Sequence, residues 1–164
     1  MASNDTLVIF MPYANEPPSA SYSTLDTRNQ HPVLDFAAGG SEFSVFSSIL
    51  PRNYAGGGMI INLHTSYSSA TAGSAIFNIA LERIGNELQD VDADSFATAA
   101  SMAVDVPLTS GSVNIATMNM ADGAAIDSIA VGEKFRIKVQ RDAENVTDDA
   151  TGDAELHAVE IQEL

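Results

Sequence analysis

Lys134–Arg141 reads KFRIKVQR. Phe135, Ile137 and Val139 fall on one side of an extended chain, and Lys134, Arg136, Lys138 and Gln140 on the other. That is the period-two pattern of a strand with one face in a core. A helix would spread the same residues around its circumference. The segment therefore demands a sheet, and the rest of the chain must supply partner strands.

It does. Leu7–Met11 is a short apolar run. Tyr22–Thr27 and Val33–Phe36 are extended pieces around a turn at Arg28–Pro32, where the residue before proline is pushed away from the helical region. Glu42–Leu50 places Phe43, Val45, Ser47 and Ile49 on one face and Phe46 and Leu50 on the other. Met59–Tyr67 puts Met59, Ile61, Leu63, Thr65 and Tyr67 together, with Asn62, His64 and Ser66 outward. Ala75–Ile84 turns Phe77, Ile79 and Leu81 inward. Phe96–Val106 is alanine-rich, but Val104, Val106 and Pro107 favour a strand over a helix. Ser112–Met120 is read as a strand with Val113 and Ile115 inward. Ala124–Val131 predicts one helical turn on Ile126 and Ile129. In Ala154–Leu164, Val159 and Ile161 share a face while Leu156 falls on the other. The phase shift near His157 or Ala158 predicts a bulge.

Turn signals recur at the spacing of a sandwich or barrel, and long helices never alternate with the strands. The expected fold is an all-β, antiparallel jelly-roll β-sandwich with an extended N-terminal arm. Residues 1–164 are read as a single domain, with residues 1–22 as an N-terminal strand and proline-rich arm. The arm, Pro12–Pro18, is expected to dock on its own domain. Its adjacent prolines lack backbone donors and hold an extended path.

Seven basic residues face 22 acidic ones, for a net charge of −15. Up to Glu82 there are six acids and two bases; from Arg83 onward there are 16 acids and five bases. Such an excess repels phosphate backbones and anionic lipid, so neither nucleic acid nor a membrane is an expected partner. The chain has no Cys, which excludes disulfides and Cys-based zinc sites. The N-terminal residues lack the basic and apolar regions of a secretory signal.

Motifs for catalysis or cofactors are missing. Asp90, Asp92 and Asp94 suggest a calcium loop, but an EF-hand starting at Asp90 would need Gly where Ser95 stands and Glu where Ser101 stands. A non-EF site using these aspartates with Glu87 is the remaining calcium option, against a solvated acidic turn. His31, His64 and His157 are not paired at metal-ligand spacing. No Gly-x-Ser-x-Gly elbow occurs. Gly56-Gly57-Gly58 lacks the Lys-Ser/Thr and the helix of a phosphate loop; it reads as a strand connection in which glycine permits positive φ or a close backbone approach. Arg52, just before it, is expected to pair with Asp26, Asp35 or a neighbouring subunit. No catalytic residue, cofactor or metal is assigned, and the chain is expected not to be an enzyme.

The strings PYANEPP at Pro12–Pro18, TLDTRN at Thr24–Asn29, HPVLDF at His31–Phe36 and LPRNYAGGG at Leu50–Gly58 resemble small, Cys-free virion proteins of tailed bacteriophages. Glu82–Gly85, Asp92–Ala97, Phe135–Val139, Arg141–Ala143 and Gly152–Leu156 fit the same pattern. The resemblance implies a jelly-roll capsid decoration (cement) protein, made in the bacterial host cytoplasm, that stabilises the shell from the virion exterior. It implies the major capsid protein as partner and a homo-oligomer, a trimer in preference to a dimer. Exposed aromatics and arginines anchor interfaces, so the expected subunit or capsid contacts are Tyr13, Pro17, Pro18, Arg28, Arg52, Asn53 and Tyr54. The competing expectation is a jelly-roll receptor- or carbohydrate-binding module of a phage fibre, with an enzyme acting on polysaccharide ranked third.

Overall fold

The computed structural model describes residues 4–164; the reading of Met1, Ala2 and Ser3 lies outside the described residues. Among those described are ten strands: β1 (Thr6–Phe10), β2 (Thr24–Arg28), β3 (His31–Phe36), β4 (Glu42–Ile49), β5 (Gly58–Tyr67), β6 (Ser74–Ile84), β7 (Ala100–Asp105), β8 (Asn114–Ala121), β9 (Lys134–Arg141) and β10 (Ala154–Glu163). They form two antiparallel sheets, as the alternating patterns require. One runs β2-β3-β10-β5-β8, with β1 also paired to β10; the other runs β4-β9-β6-β7. The expected single helical turn is a 3-10 turn at Ala124–Ile126. The fold is an antiparallel jelly-roll β-sandwich.

The core lies between the sheets. Ile61 and Leu63 of β5, Phe77 and Ile79 of β6, Ile137 of β9 and Ile161 of β10 are among its fully buried members. Phe10 stacks on Phe46 at 5.2 Å between centroids, and Phe36 meets Phe77 edge-on at 5.5 Å. Each large apolar side chain buried here contributes about 1.5–3 kcal/mol relative to exposure. β9 matches its sequence reading residue for residue: Phe135, Ile137 and Val139 are buried.

β10 shows why its alternation slips. The register shifts between Leu156 and Ala158, leaving His157 as an extra residue. The bulge turns Leu156 to the core face with Val159 and Ile161, all buried. It also divides the edge of β10. Ala154–Leu156 pair with β3, and Val159–Gln162 pair with β1.

β8 corrects its sequence reading. Val113 and Ile115 are exposed, whereas Met118 and Met120 are buried. The reason is register. Met120 lies opposite Met59, and Met118 opposite Ile61. Directly opposed residues of a ladder share a face, so the core-facing residues of β5 bring the methionines inward and turn Ile115 out.

Two segments strap onto this frame. After β6, the chain returns along the outside of the second sheet. Ala97 N–H donates to Leu81 O at 2.8 Å, and Ser95 donates to Glu82 through both its backbone N–H and its hydroxyl. Phe96 lies against Arg136 and Lys138, about 5 Å from each cation. The loop between β9 and β10 is tied from inside by Arg141. Its guanidinium donates to Asp148, Phe36 O, Gly152 O and Ala150 O.

The strand connection at Pro51–Gly57 is also internally fixed. Gly56, Gly57 and Gly58 all have φ near +100°, at +94°, +104° and +110°. At Gly58 a Cβ would overlap the Met120 carbonyl oxygen, so this position needs glycine for space as well as for φ. Tyr54 is buried. Its hydroxyl donates to Gly58 O at 3.0 Å and accepts from Gly58 N–H at 2.9 Å. The expectation of an exposed Tyr54 contact is thereby corrected: the ring supports the glycine turn from within.

Candidate functional site

The N-terminal arm lies on its own domain, as expected. After β1, Pro12–Ala14 form a 3-10 turn with proline at its start, where no backbone donor is needed. The chain then runs along β4, the edge strand of the second sheet. Glu16 N–H donates to Val45 O at 2.7 Å, and Asn15 Oδ1 accepts from Val45 N–H at 3.2 Å. Farther on, Phe43 N–H donates to Ser21 O and Ser23 N–H to Phe43 O. The arm thus satisfies backbone groups that an open edge would present to other chains.

Crossing from β4 to β2, the arm encloses a cleft of about 260 Å³ lined by Pro12, Tyr13, Asn15, Pro17, Tyr22, Ser23, Thr24 and Leu25. Its exposed rings are Tyr13 at 70% and Tyr22 at 51%. Below them, the Ser23 and Ser44 hydroxyls share a buried hydrogen bond. Ser21 holds φ at +54°, a left-handed bend that precedes Tyr22. Apolar and aromatic walls with a few polar groups are the usual make-up of a small-ligand site. Flat rings with a polar tip suit ligands that are apolar on one face and hydroxylated at the rim.

The residues singled out in the sequence do not form one surface. Tyr13 and Pro17 line the arm cleft, and Pro18 is half-buried beside it. Arg28 lies at the far end of β2, bound to Glu155 at 2.5 Å. Arg52 and Asn53 are exposed on the connection from β4 to β5. Arg52 packs over Gly132, where a Cβ would come within 2.9 Å of its guanidinium, and makes no ion pair with Asp26 or Asp35. Sequence reading missed Tyr22 as a partner of Tyr13. Eight residues lie between them, and only the arm's path along β4 brings them to one cleft.

It also missed a gathering of histidines. His31 on β3 and His64 on β5 flank His157 on the strand between them, β10, and both are close enough to act on its charge. Ser66 Oγ lies 2.8 Å from His157 Nε2 and donates to Glu155 at 2.5 Å. Burial pushes the His157 imidazole below its ordinary range, and His31, Arg28 and His64 add to this while Glu155 opposes it. Burial and the Glu155 carboxylate push Asp35 up to about 6.

The aspartate run settles as a turn. Asp92 N–H donates to Asp90 Oδ1, and Asp94 pairs with Arg136 at 2.7 Å. Among the described residues, no group of three or more His, Asp or Glu side chains is arranged to hold a metal ion.

No family model matches the chain, and no curated protein matches it. Solved structures do. A family 35 carbohydrate-binding module from an environmental isolate superposes with a TM-score of 0.57 at 10% identity, covering 94% of this chain and 92% of that one. The C-terminal CBM6 of LamC, a marine laminarinase from Zobellia galactanivorans, gives 0.51 at 12% identity, covering 97% and 100%. A xylan-binding module, CBM15, gives 0.50 at 14% identity, covering 96% and 97%. The chain therefore shares the jelly-roll fold of these carbohydrate-binding modules over 94–97% of its length.

Proposed function

We propose that this protein is a non-catalytic carbohydrate-binding β-sandwich, with its saccharide held in the cleft between Tyr13 and Tyr22. The observation that carries this reading is the cleft itself: two exposed phenol rings share its lining with proline and leucine and with serine, threonine and asparagine groups. The C–H face of a pyranose stacks on such rings, and its hydroxyls meet the polar groups at the rim. The shared fold with three carbohydrate-binding modules supports the same reading. This favours the module expected second from the sequence over the decoration protein expected first.

Binding to a glycan array, followed by calorimetry with the best oligosaccharide, tests it. Tyr13→Ala and Tyr22→Ala should each weaken binding about tenfold, or ~1.4 kcal/mol, while leaving the unfolding midpoint unchanged. Undiminished binding by both variants would remove the cleft from the proposal, and silence across a broad array would remove the saccharide.

A second reading keeps the sequence resemblance: a virion protein that assembles as a homo-oligomer, a trimer by preference, against the major capsid protein. The exposure of Tyr13, Pro17, Arg52 and Asn53 supports it. Cryo-electron microscopy of intact particles separates the two. Copies spread over the shell support decoration, and copies confined to fibres support saccharide recognition.

A further inference from the structure

β2 and β3 are joined by a two-residue turn in which both Asn29 and Gln30 have positive φ, at 45° and 69°. That turn keeps the strands in register and sets Arg28 directly across from His31. The bulge of β10 adds His157 to the same place. Together with Asn29, Gly111 and Val113 they line a cleft of about 340 Å³. The lining holds a guanidinium, two imidazoles and an amide, and no carboxylate, in a chain of net charge −15. Arg28 donates to Tyr67 O, Glu155 and Ser110, three bonds from a group with five N–H donors. Gly111 packs against its guanidinium without a side chain, since a Cβ there would come within 2.9 Å of it, and the Arg28 side chain stays 31% exposed.

We propose that this cleft is an oxyanion site, in which the Arg28 fork with His31 and His157 binds the carboxylate or sulfate ester of an acidic sugar. A planar fork matches a carboxylate or sulfate edge, and charge-assisted bonds of this kind are about twice as strong as neutral ones. The acidic sugar as carrier rests on the saccharide reading; the oxyanion does not. The arm cleft is lined by Thr24 and this one by Arg28, so the two flank β2, ~13 Å apart along the strand.

The site is coupled to protons. Glu155 from its own strand, His31 from β3, Arg28 from β2 and His64 from β5 face His157. Glu155, Asp26, Asp153 and Arg28 sit around Asp35, and Glu160 faces His64. Acidification neutralises Asp35 and, below its ordinary range, charges the His157 imidazole, so the cleft becomes more cationic as pH falls, and anion affinity rises with it.

Histidine ring resonances of the full chain, followed by NMR during titration with glucuronate, glucose 6-sulfate or methyl glucoside, test this. His31 and His157 should shift saturably with one or both anions, binding about fivefold or more tightly at about pH 5.5 than at about pH 7.5. Methyl glucoside should leave both rings unmoved. Whichever anion binds identifies carboxylate or sulfate as the source. The exposed-residue change His31→Gln should weaken the response, and Arg28→Lys, which keeps the charge but loses the fork, should weaken it too. Rings unmoved by both anions, moved equally by methyl glucoside, or insensitive to pH would overturn the proposal. Failure of the saccharide reading shows elsewhere, as loss of oligosaccharide binding at Tyr13 and Tyr22.

Discussion

Arg141 and Asp148 form a two-pronged ion pair, at 2.8 and 3.1 Å, with both side chains almost wholly shielded from solvent. Six residues lie between them, so the pair draws the middle of the loop between β9 and β10 back onto the end of β9. Three backbone carbonyls take further Arg141 N–H donors. Asp148 also accepts from Ile76 N–H, which ties the loop to β6.

Removing one partner leaves the other buried and uncompensated, which costs about 3–5 kcal/mol. Asp148→Ala should therefore lower the unfolding free energy by about that amount in urea melts. A loss below about 1 kcal/mol would mean that water reaches Arg141 and that the loop is not clasped.

The ion pairs of Arg136 supply a contrast within one side chain. Arg136 meets Glu82, whose side chain is 3% exposed, and Asp94, whose side chain is 67% exposed. Asp94→Ala should cost less than about 1 kcal/mol, as exposed pairs do. Arg136→Met should cost several times more, about 2–4 kcal/mol, because Glu82 loses its counter-charge in a nearly dry position. Equal effects in denaturant titrations would refute the role given to burial.

Three consecutive glycines at positive φ allow backbone strain to be separated from crowding. Gly56→Ala meets nothing within 4 Å and should cost about 1–2 kcal/mol through φ alone. Gly57→Val, whose Cβ would touch only Leu164 O at 3.5 Å, should fall at about 1–3 kcal/mol. Gly58→Ala adds overlap with Met120 O and should be the worst of the three. Thermal melts that rank Gly56→Ala as most damaging would contradict this geometry.

Asp35 makes stability depend on pH. Its carboxyl is raised from 3.8 to about 6, first by burial and then by Glu155, and its Oδ1 is buried without a hydrogen-bond partner. Between those two values the folded chain holds a proton that the unfolded chain has released. Stability is therefore lost as pH rises through this window, and the full cost is present above about 6. Solvent screening at this half-buried position reduces the effect to about 1–2 kcal/mol. His157 acts in the opposite sense, since its lowered value costs stability as pH falls. Asp35→Asn isolates the carboxylate. It should stabilise the protein at about pH 7.5 and do little at about pH 4. Equal effects at both would show that Asp35 is not the group responsible.

How much of this was legible in the sequence depends on whether a pattern is local. β9 was readable because alternation alone decides its faces. The bulge of β10 was readable because one extra residue leaves a visible slip between Leu156 and Val159. The polarity of β8 was not, because Val113 and Ile115 compete with Met118 and Met120 on opposite parities, and only pairing with β5 decides between them. Arg141 left a signal: it continues the inward series of Phe135, Ile137 and Val139, so a charged residue at that parity calls for a buried partner. Nothing local connects Tyr13 with Tyr22, or His31 with His64 and His157. Those sites are made by strand order and by the arm's route, which spacing along the chain does not encode.

The divided edge of β10 has a consequence for how the protein is made. Residues 154–163 bond to β1 and β3 on one side and to β5 on the other. Until that stretch leaves the ribosome, β1, the β2–β3 hairpin and the β5–β8 pair have no common neighbour in their sheet. The second sheet, from β4, β6, β7 and β9, is complete by Arg141. Synthesis should thus pass through a half-sandwich with one apolar face open, a stage at which the chain depends on chaperones or on speed.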